Sequence, residues 1–149
     1  MSRILLDTNI LLRFVDQDSP LQAIAEAAMI RLNTFPDRTV LCSQTCTEFW
    51  SAATRPLNVN GLGLTPAQAR QYVDQFLKLF LHQDDDPNVF PRWLDIVTKI
   101  GVSGRQVHDA RLVAAMMTHG VGRILTFNGS DFERYASLGI EVVDPAGVV

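Results

Sequence analysis

A chain of 149 residues has the length of one domain, and 47% hydrophobic residues are enough to bury a core, which excludes a disordered chain. Its 13 basic and 16 acidic residues leave a net charge of −3, which excludes binding nucleic acid through bulk charge. Such a site would have to be a local basic patch. Lys78 and Lys99 are the only lysines, so the basic residues are nearly all arginine. Arginine forks onto phosphate where lysine acts as a point charge, although a GC-rich genome accounts for the choice more simply. Residues 1–15 carry Asp7 inside an apolar run and have no small-residue cleavage site. No stretch approaches the roughly 18 apolar residues of a membrane span. A cytoplasmic location with no membrane contact is therefore expected, with Cys42 and Cys46 as reduced thiols. A lone C-x3-C is a weak metal signal, and both cysteines read as small core residues at a strand end.

In chain order, Arg3-Ile4-Leu5-Leu6 reads as a short buried strand that Asp7-Thr8-Asn9 terminates, followed by a helix over 10–15. Ser19-Pro20 is expected to open a second helix with proline in its first position, burying Ile24, Ala27, Ala28 and Leu32. Thr39–Cys42 is a second strand. Thr45 then caps a helix that carries Glu48, Phe49, Trp50 and Ala53 and stops near Pro56. Residues 57–64 read as a loop, and Thr65-Pro66 starts a helix with Tyr72, Phe76, Leu77 and Phe80 on its apolar side, a face for core or dimer interface. Asp84-Asp85-Asp86-Pro87 breaks the pattern before a helix over about 90–100 that ends at Gly101. Ser103-x-x-Gln106 has the form of a capping box for a helix over 104–119, with Gly120 as its stop. A strand over 123–127, a short helix over 130–135 and a strand over 140–143 complete the chain. Short apolar strands alternating with helices predict a single α/β domain over 1–149, a three-layer sandwich with a mainly parallel central sheet flanked by helices.

Sites in open parallel sheets form at the carboxyl ends of the strands. Asp7 follows the first strand directly, Glu48 follows the second by one helical turn, and Asn128 and Asp131 follow the strand over 123–127. Asp109 falls in the second turn of its helix. Each acid has a structural explanation too. Asp7 or Thr8 can cap the first helix. Glu48 completes Thr45-x-x-Glu48, and Asp131 lies inside Ser130-x-x-Glu133, both capping-box patterns. Asp109 resists this reading, because its neighbours at i+3 and i+4 are Leu112 and Val113, and a buried acid on that stripe needs a partner such as His108 or Arg111. Two carboxylates ~4 Å apart repel by about 4 kcal/mol at an effective dielectric near 20. A divalent cation removes that penalty, and carboxylates without His or Cys suit Mg²⁺ or Mn²⁺ rather than Zn²⁺.

The segments that hold these acids resemble the four motifs of PIN domains. Ile4-Leu5-Leu6-Asp7-Thr8-Asn9 resembles the first, Thr47-Glu48-Phe49 the second, Val107-His108-Asp109-Ala110-Arg111-Leu112-Val113-Ala114 the third, and Leu125-Thr126-Phe127-Asn128-Gly129-Ser130-Asp131-Phe132 the fourth. Each is short, but four in order across nearly the whole chain are specific. Within the family the chain is most similar to VapC-like ribonuclease toxins of bacterial toxin–antitoxin pairs. The resemblance implies a PIN-like parallel sheet flanked by helices and a Mg²⁺- or Mn²⁺-dependent endoribonuclease that cuts RNA. It also implies a homodimer and an antitoxin protein that blocks the site. Carried over, Asp7, Glu48, Asp109 and Asp131 are the catalytic, metal-binding acids: Asp7 and Asp109 as direct ligands, Glu48 as a ligand or a holder of the attacking water, Asp131 beside a second ion or an outer water. Thr8 and Asn9 are supporting polar groups, and Thr126 positions a carboxylate or water. Many relatives carry an acid where this chain has Asn128, so the fourth carboxylate is either absent or supplied by Asp131. Residues 57–90 are longer than in a minimal domain and suit a specificity or partner surface.

Arg13, Arg105 and Arg111 lie near the motif segments and are candidate RNA contacts. Asp84-Asp85-Asp86 reads as a solvated loop, His82 and His119 carry no signal, and Trp50 and Trp93 read as core rather than base-stacking residues. A haloacid-dehalogenase-type phosphatase needs a second aspartate two positions after the first, where this chain has Asn9. A receiver domain needs an acidic pair ahead of its phosphoacceptor, and none is present. The remaining alternative is a catalytically silent PIN fold that only binds protein or RNA.

Overall fold

The computed structural model describes residues 3–34 and 38–148. Five strands, β1 (Ile4–Leu6), β2 (Thr39–Cys42), β3 (Leu81–Gln83), β4 (Arg123–Leu125) and β5 (Glu141–Val143), form one sheet in the order β3-β2-β1-β4-β5. Every pairing is parallel, with Leu5 opposite Val40 on one side and Ile124 on the other. The expected sandwich is present, and its sheet is wholly parallel. β3 lies where no strand was expected, since Leu-His-Gln gives neither an apolar run nor a clear alternation. Its side chains are only half-buried at the sheet's edge.

Strands covered on both faces carry continuous apolar runs, and alternate side chains separate into two cores. Ile4, Leu6, Leu41 and Leu125 pack with residues of α1 (Thr8–Val15), α2 (Gln22–Leu32), α3 (Ser43–Thr54) and α4 (Pro66–Leu79). Leu5, Val40, Cys42 and Ile124 pack against α5 (Val89–Ile100) and α6 (Val107–His119). In the first core Phe49 of α3 meets Phe76 of α4 edge to face at 5.1 Å between ring centres, and both are fully buried. Cys42 ends β2 in the second core, and Cys46 is half-buried on α3; both are free thiols. Among the described residues no helix is long and apolar enough to cross a membrane.

Helix ends follow local chemistry where that chemistry is strong. Thr65 and Gln68 form a reciprocal capping box with Pro66 in the first turn. Gly101 and Gly120 end α5 and α6 at φ 77° and 70°, a left-handed conformation that favours glycine. Pro20 does not open α2: it sits in a turn where Ser19 Oγ accepts from Leu21 N, and the helix begins at Gln22. The buried face of α2 is Ala25, Ala28, Met29 and Leu32, which leaves Ala27 exposed. Ser103 makes no side-chain cap bond; Gly104–Gln106 form a separate 3-10 turn and α6 starts at Val107. Residues 129–138 hold two 3-10 turns, Gly129–Asp131 and Glu133–Leu138, in place of one short α-helix. β4 stops at Leu125, which frees Thr126 and Phe127 from the strand.

The strand order places a topological switch between β1 and β4, because the chain leaves β1 toward β2 and returns to its other side as β4. A crevice at such a point, beyond the strands' carboxyl ends, is where open α/β sheets bind ligands. Truncating Phe76 should test the core beneath α1–α4: Phe76→Ala is expected to lower the unfolding free energy by about 3–5 kcal/mol in urea titration.

Candidate active site

Asp7 stands at the end of β1 beside the switch point and is held by a network of hydrogen bonds. Its backbone N–H donates to the Leu125 carbonyl at 3.0 Å, which carries the β1–β4 ladder one residue past the strands. As N-cap of α1, it accepts from Thr8 N at 2.8 Å through Oδ1. Oδ2 accepts from the Thr126 hydroxyl at 2.8 Å and from Asn9 Nδ2 at 3.3 Å. Thr126 is itself buried, and its oxygen also accepts from Asn9 Nδ2 and Asn128 N, both at 3.0 Å. That uses the hydroxyl's one donor and two acceptor positions. Asn9 closes the network by accepting from Phe127 N at 3.1 Å. Capping and site chemistry therefore coincide at Asp7.

Glu48 is not part of a Thr45 capping box. Thr45 lies inside α3, buried, with its hydroxyl turned back to the Cys42 backbone. Glu48 sits in the second turn of α3, where Oε2 accepts from the Thr8 hydroxyl and Oε1 from Gln44 Nε2, each at 2.9 Å. Asp109 lies in the first turn of α6, half-buried, while Leu112, Val113 and Met116 behind it fill the core. Asp131 ends the 3-10 turn after β4 and is exposed.

All four acids line one open cleft of about 450 Å³, together with Thr8, Asn9 and Asn128. Asn128 and Asp131 both face it, so the amide does not displace the acid. Arg105 lines the cleft as expected, and Arg55 joins it without having been anticipated. The signal for Arg55 was helical spacing: Glu48, Ser51, Ala52 and Arg55 fall on one face of α3 and its end. Residues 57–64 fold back onto that end. Gly63 N and Leu64 N donate to the Arg55 and Ala53 carbonyls, and a Cβ on Gly61 would overlap the Arg55 carbonyl. Arg13 does not line the cleft and stands 3.8 Å from Asp16. Arg111 lines a neighbouring cavity. A larger groove of about 720 Å³ beside α5 holds Asp95 and Lys99, which pair with each other at 3.1 Å.

Confinement shifts the acids' ionisation. Burial pushes the Asp7 carboxyl up, against hydrogen bonds from Thr126 and Thr8 that favour its charged form; Glu48 and Asp131 add to the rise by repulsion. Burial, then the charges of Asp7, Asp131 and Glu48, push Asp109 from the usual 3.8 to about 6. The donors are all oxygen, with no His or Cys in the cleft. That set fits a hard divalent cation such as Mg²⁺ or Mn²⁺, whose charge would relieve the repulsion. Among the described residues no three acids converge closely enough to enclose an ion. The donor set therefore suits an ion that keeps part of its water shell, as Mg²⁺ does.

A folded-state pKa raised above the unfolded value stabilises the fold at low pH and ceases to do so as pH rises through the folded value. Metal-free protein should therefore melt at higher temperature at pH 5 than at pH 7.5. Asp109→Asn should melt above wild type at pH 7.5 and show a smaller gain on acidification, as read by thermal unfolding in EDTA.

The PIN domain family matches residues 4–138 of the chain. No curated protein matches it. Solved structures share its fold over nearly their whole length. A toxin–antitoxin complex from Klebsiella pneumoniae is 20% identical, with a TM-score of 0.64 over 95% of this chain and 97% of that one. VapBC2 from Rickettsia felis, bound to a promoter DNA fragment, is 13% identical, with a TM-score of 0.71 over the same shares. VapC20 from Mycobacterium tuberculosis, described as a sarcin-ricin loop cleaving toxin, is 14% identical, with a TM-score of 0.68 over 93% of this chain and 98% of that one.

Proposed function

This chain belongs to the PIN domain family, and from that premise we propose that it is a divalent-metal-dependent endoribonuclease, the toxin of a toxin–antitoxin pair. The observation that carries the reading is the meeting of Asp7, Glu48, Asp109 and Asp131 in one cleft at the switch point, where burial and then the neighbouring carboxylates make Asp7 and Asp109 harder to ionise. The toxin–antitoxin complexes and the RNA-cleaving toxin among similar folds support it. Bound Mg²⁺ or Mn²⁺ would lower the pKa of a water and stabilise charge on the leaving oxygen.

The chain's own groups divide the remaining work. Asp7 and Asp109 are the direct ligands, and Asp7 is locked in orientation by Thr126, Asn9 and the Thr8 amide. Glu48, with each oxygen already tied to a donor, accepts a proton from the attacking water and aims it at phosphorus. Asp131 holds outer water or a second ion from the exposed rim. Arg55 and Arg105 face the same cleft and offset phosphate charge that four carboxylates would otherwise repel. An antitoxin partner and a homodimer belong to the same reading. Leu57, Val59, Leu77, Leu79, Phe90 and Leu94 are exposed apolar side chains of the kind that protein partners cover.

Purified protein is expected to cut total RNA with Mn²⁺ or Mg²⁺ and to stop in EDTA. Asp7→Asn should keep the wild-type circular dichroism spectrum and lose cleavage by more than the roughly 10–100-fold that removing an outer-shell partner costs. Thr126→Val is such a removal, and should weaken Mn²⁺ binding about 10–100-fold by calorimetry. Wild-type cleavage rates in Asp7→Asn would sink the assignment. Tight RNA binding without cleavage under any divalent ion would make the protein a silent binder.

A further inference from the structure

Glu48 is a wall shared by two cavities. One is the acidic cleft; the other, of about 320 Å³, is lined by Gln44, His108, Arg111 and Asp85 among others. Gln44 orders this second space. Its Nε2 donates to Glu48 Oε1 at 2.9 Å and to the His108 carbonyl at 2.8 Å, while its Oε1 accepts from Arg111 Nη1 at 2.9 Å. The reversed amide would set oxygen against a carboxylate and a carbonyl, so the partners determine its orientation. One side chain thereby holds the Glu48 carboxylate and tethers the Arg111 guanidinium.

The tether uses one of the five donors of Arg111, and among the described residues Arg111 makes no ion pair. Asp85 lines the same cavity without pairing with it. Its neighbours in the acidic run are engaged: Asp84 lies 3.2 Å from His82 Nδ1, and Asp86 accepts from Asn88 N at 2.8 Å. Asp85 is exposed and has no side-chain partner among the described residues. A donor set and an acceptor set thus border one space without closing on each other. Phosphate does not fit that pair, because Asp85 and Glu48 both repel it. A nucleobase edge does, since it is neutral and carries donors and acceptors side by side. Guanine alone offers two adjacent acceptors, O6 and N7, to a guanidinium and two adjacent donors, N1–H and the N2 amine, to a carboxylate.

We propose that the cavity lined by Gln44, His108, Arg111 and Asp85 is a guanine subsite for a nucleotide adjoining the scissile phosphate, with Arg111 donating, Asp85 accepting and Gln44 as the positioning residue. This rests on the nuclease reading and gives its substrate a base preference. The first test uses metal-free wild type in EDTA and fluorescence anisotropy with ten-nucleotide RNAs: oligouridylate, and the same strand with one central guanosine or inosine. Guanosine should bind about fivefold or more tighter than uridine, the least that one good bidentate contact gives, with inosine between. Arg111→Gln, Asp85→Asn and Gln44→Met should each reduce that preference to about twofold or less. Measurable binding without a guanosine preference, or a preference that survives both Arg111→Gln and Asp85→Asn, overturns the subsite. So does a loss with Arg111→Gln and a gain with Asp85→Asn that are equal for all three RNAs, which is the mark of a phosphate contact. Mapping Mn²⁺-dependent cuts in total RNA separates the two claims. Cuts with no guanosine beside them overturn the subsite and leave the nuclease standing, whereas neither binding nor cutting overturns the nuclease and the subsite with it.

Discussion

The hydrogen bond from the Thr126 hydroxyl to Asp7 Oδ2 joins the ends of β1 and β4 at the point where the chain's crossovers part. Asp7 is only 7% exposed, and a carboxylate that deep is tolerated only with partners around it. Thr126 can serve because β4 ends one residue earlier, which releases its backbone toward Val143 and turns its hydroxyl inward. Asn9, Asn128 N and Phe127 N then fill the remaining hydrogen-bonding positions. The other acids reach the cleft from separate elements, α3, α6 and the turn after β4, and all are placed relative to this junction.

Electrostatics give that junction its cost and its use. Burial and the neighbouring carboxylates make Asp7 and Asp109 harder to ionise, which opposes the fully charged cleft that a cation needs. Three hydrogen bonds to the Asp7 carboxylate oppose the rise of its pKa without cancelling it, whereas the half-buried Asp109 is pushed up to about 6. Arg55 and Arg105 add positive charge without pairing directly with any of the four acids among the described residues. The carboxylates therefore stay available to an ion while the cleft as a whole remains approachable by a polyanion.

The segment after α3 shows how packing supports chemistry at a distance. The stretch 57–64 returns its backbone N–H groups to the carbonyls that end α3, and Gly61 permits the contact because no side chain fits there. The position of Arg55 in the cleft follows from that closure. The same principle holds at Gln44, which links α3 to α6 through one amide.

The sequence by itself determined the alternation of elements, the two-faced burial of the strands, the start of α4, the glycine stops of α5 and α6, and the four acids as candidates. Those features depend on side-chain period, on glycine at positive φ and on caps formed within a few residues, all of which are local. Local reasoning failed where competing local choices were close in energy. Pro20 is compatible with a turn as well as a helix start, Ser103 with a 3-10 turn as well as a cap, and the short edge strand β3 forms because β2 offers it a partner. Only the tertiary structure decided that Glu48 is bound by Thr8 and Gln44 rather than by Thr45, that Arg55 enters the cleft while Arg13 does not, and that Asp85 and Arg111 line one cavity. These are meetings of separate elements, or choices of direction around a helix, and no local pattern encodes them.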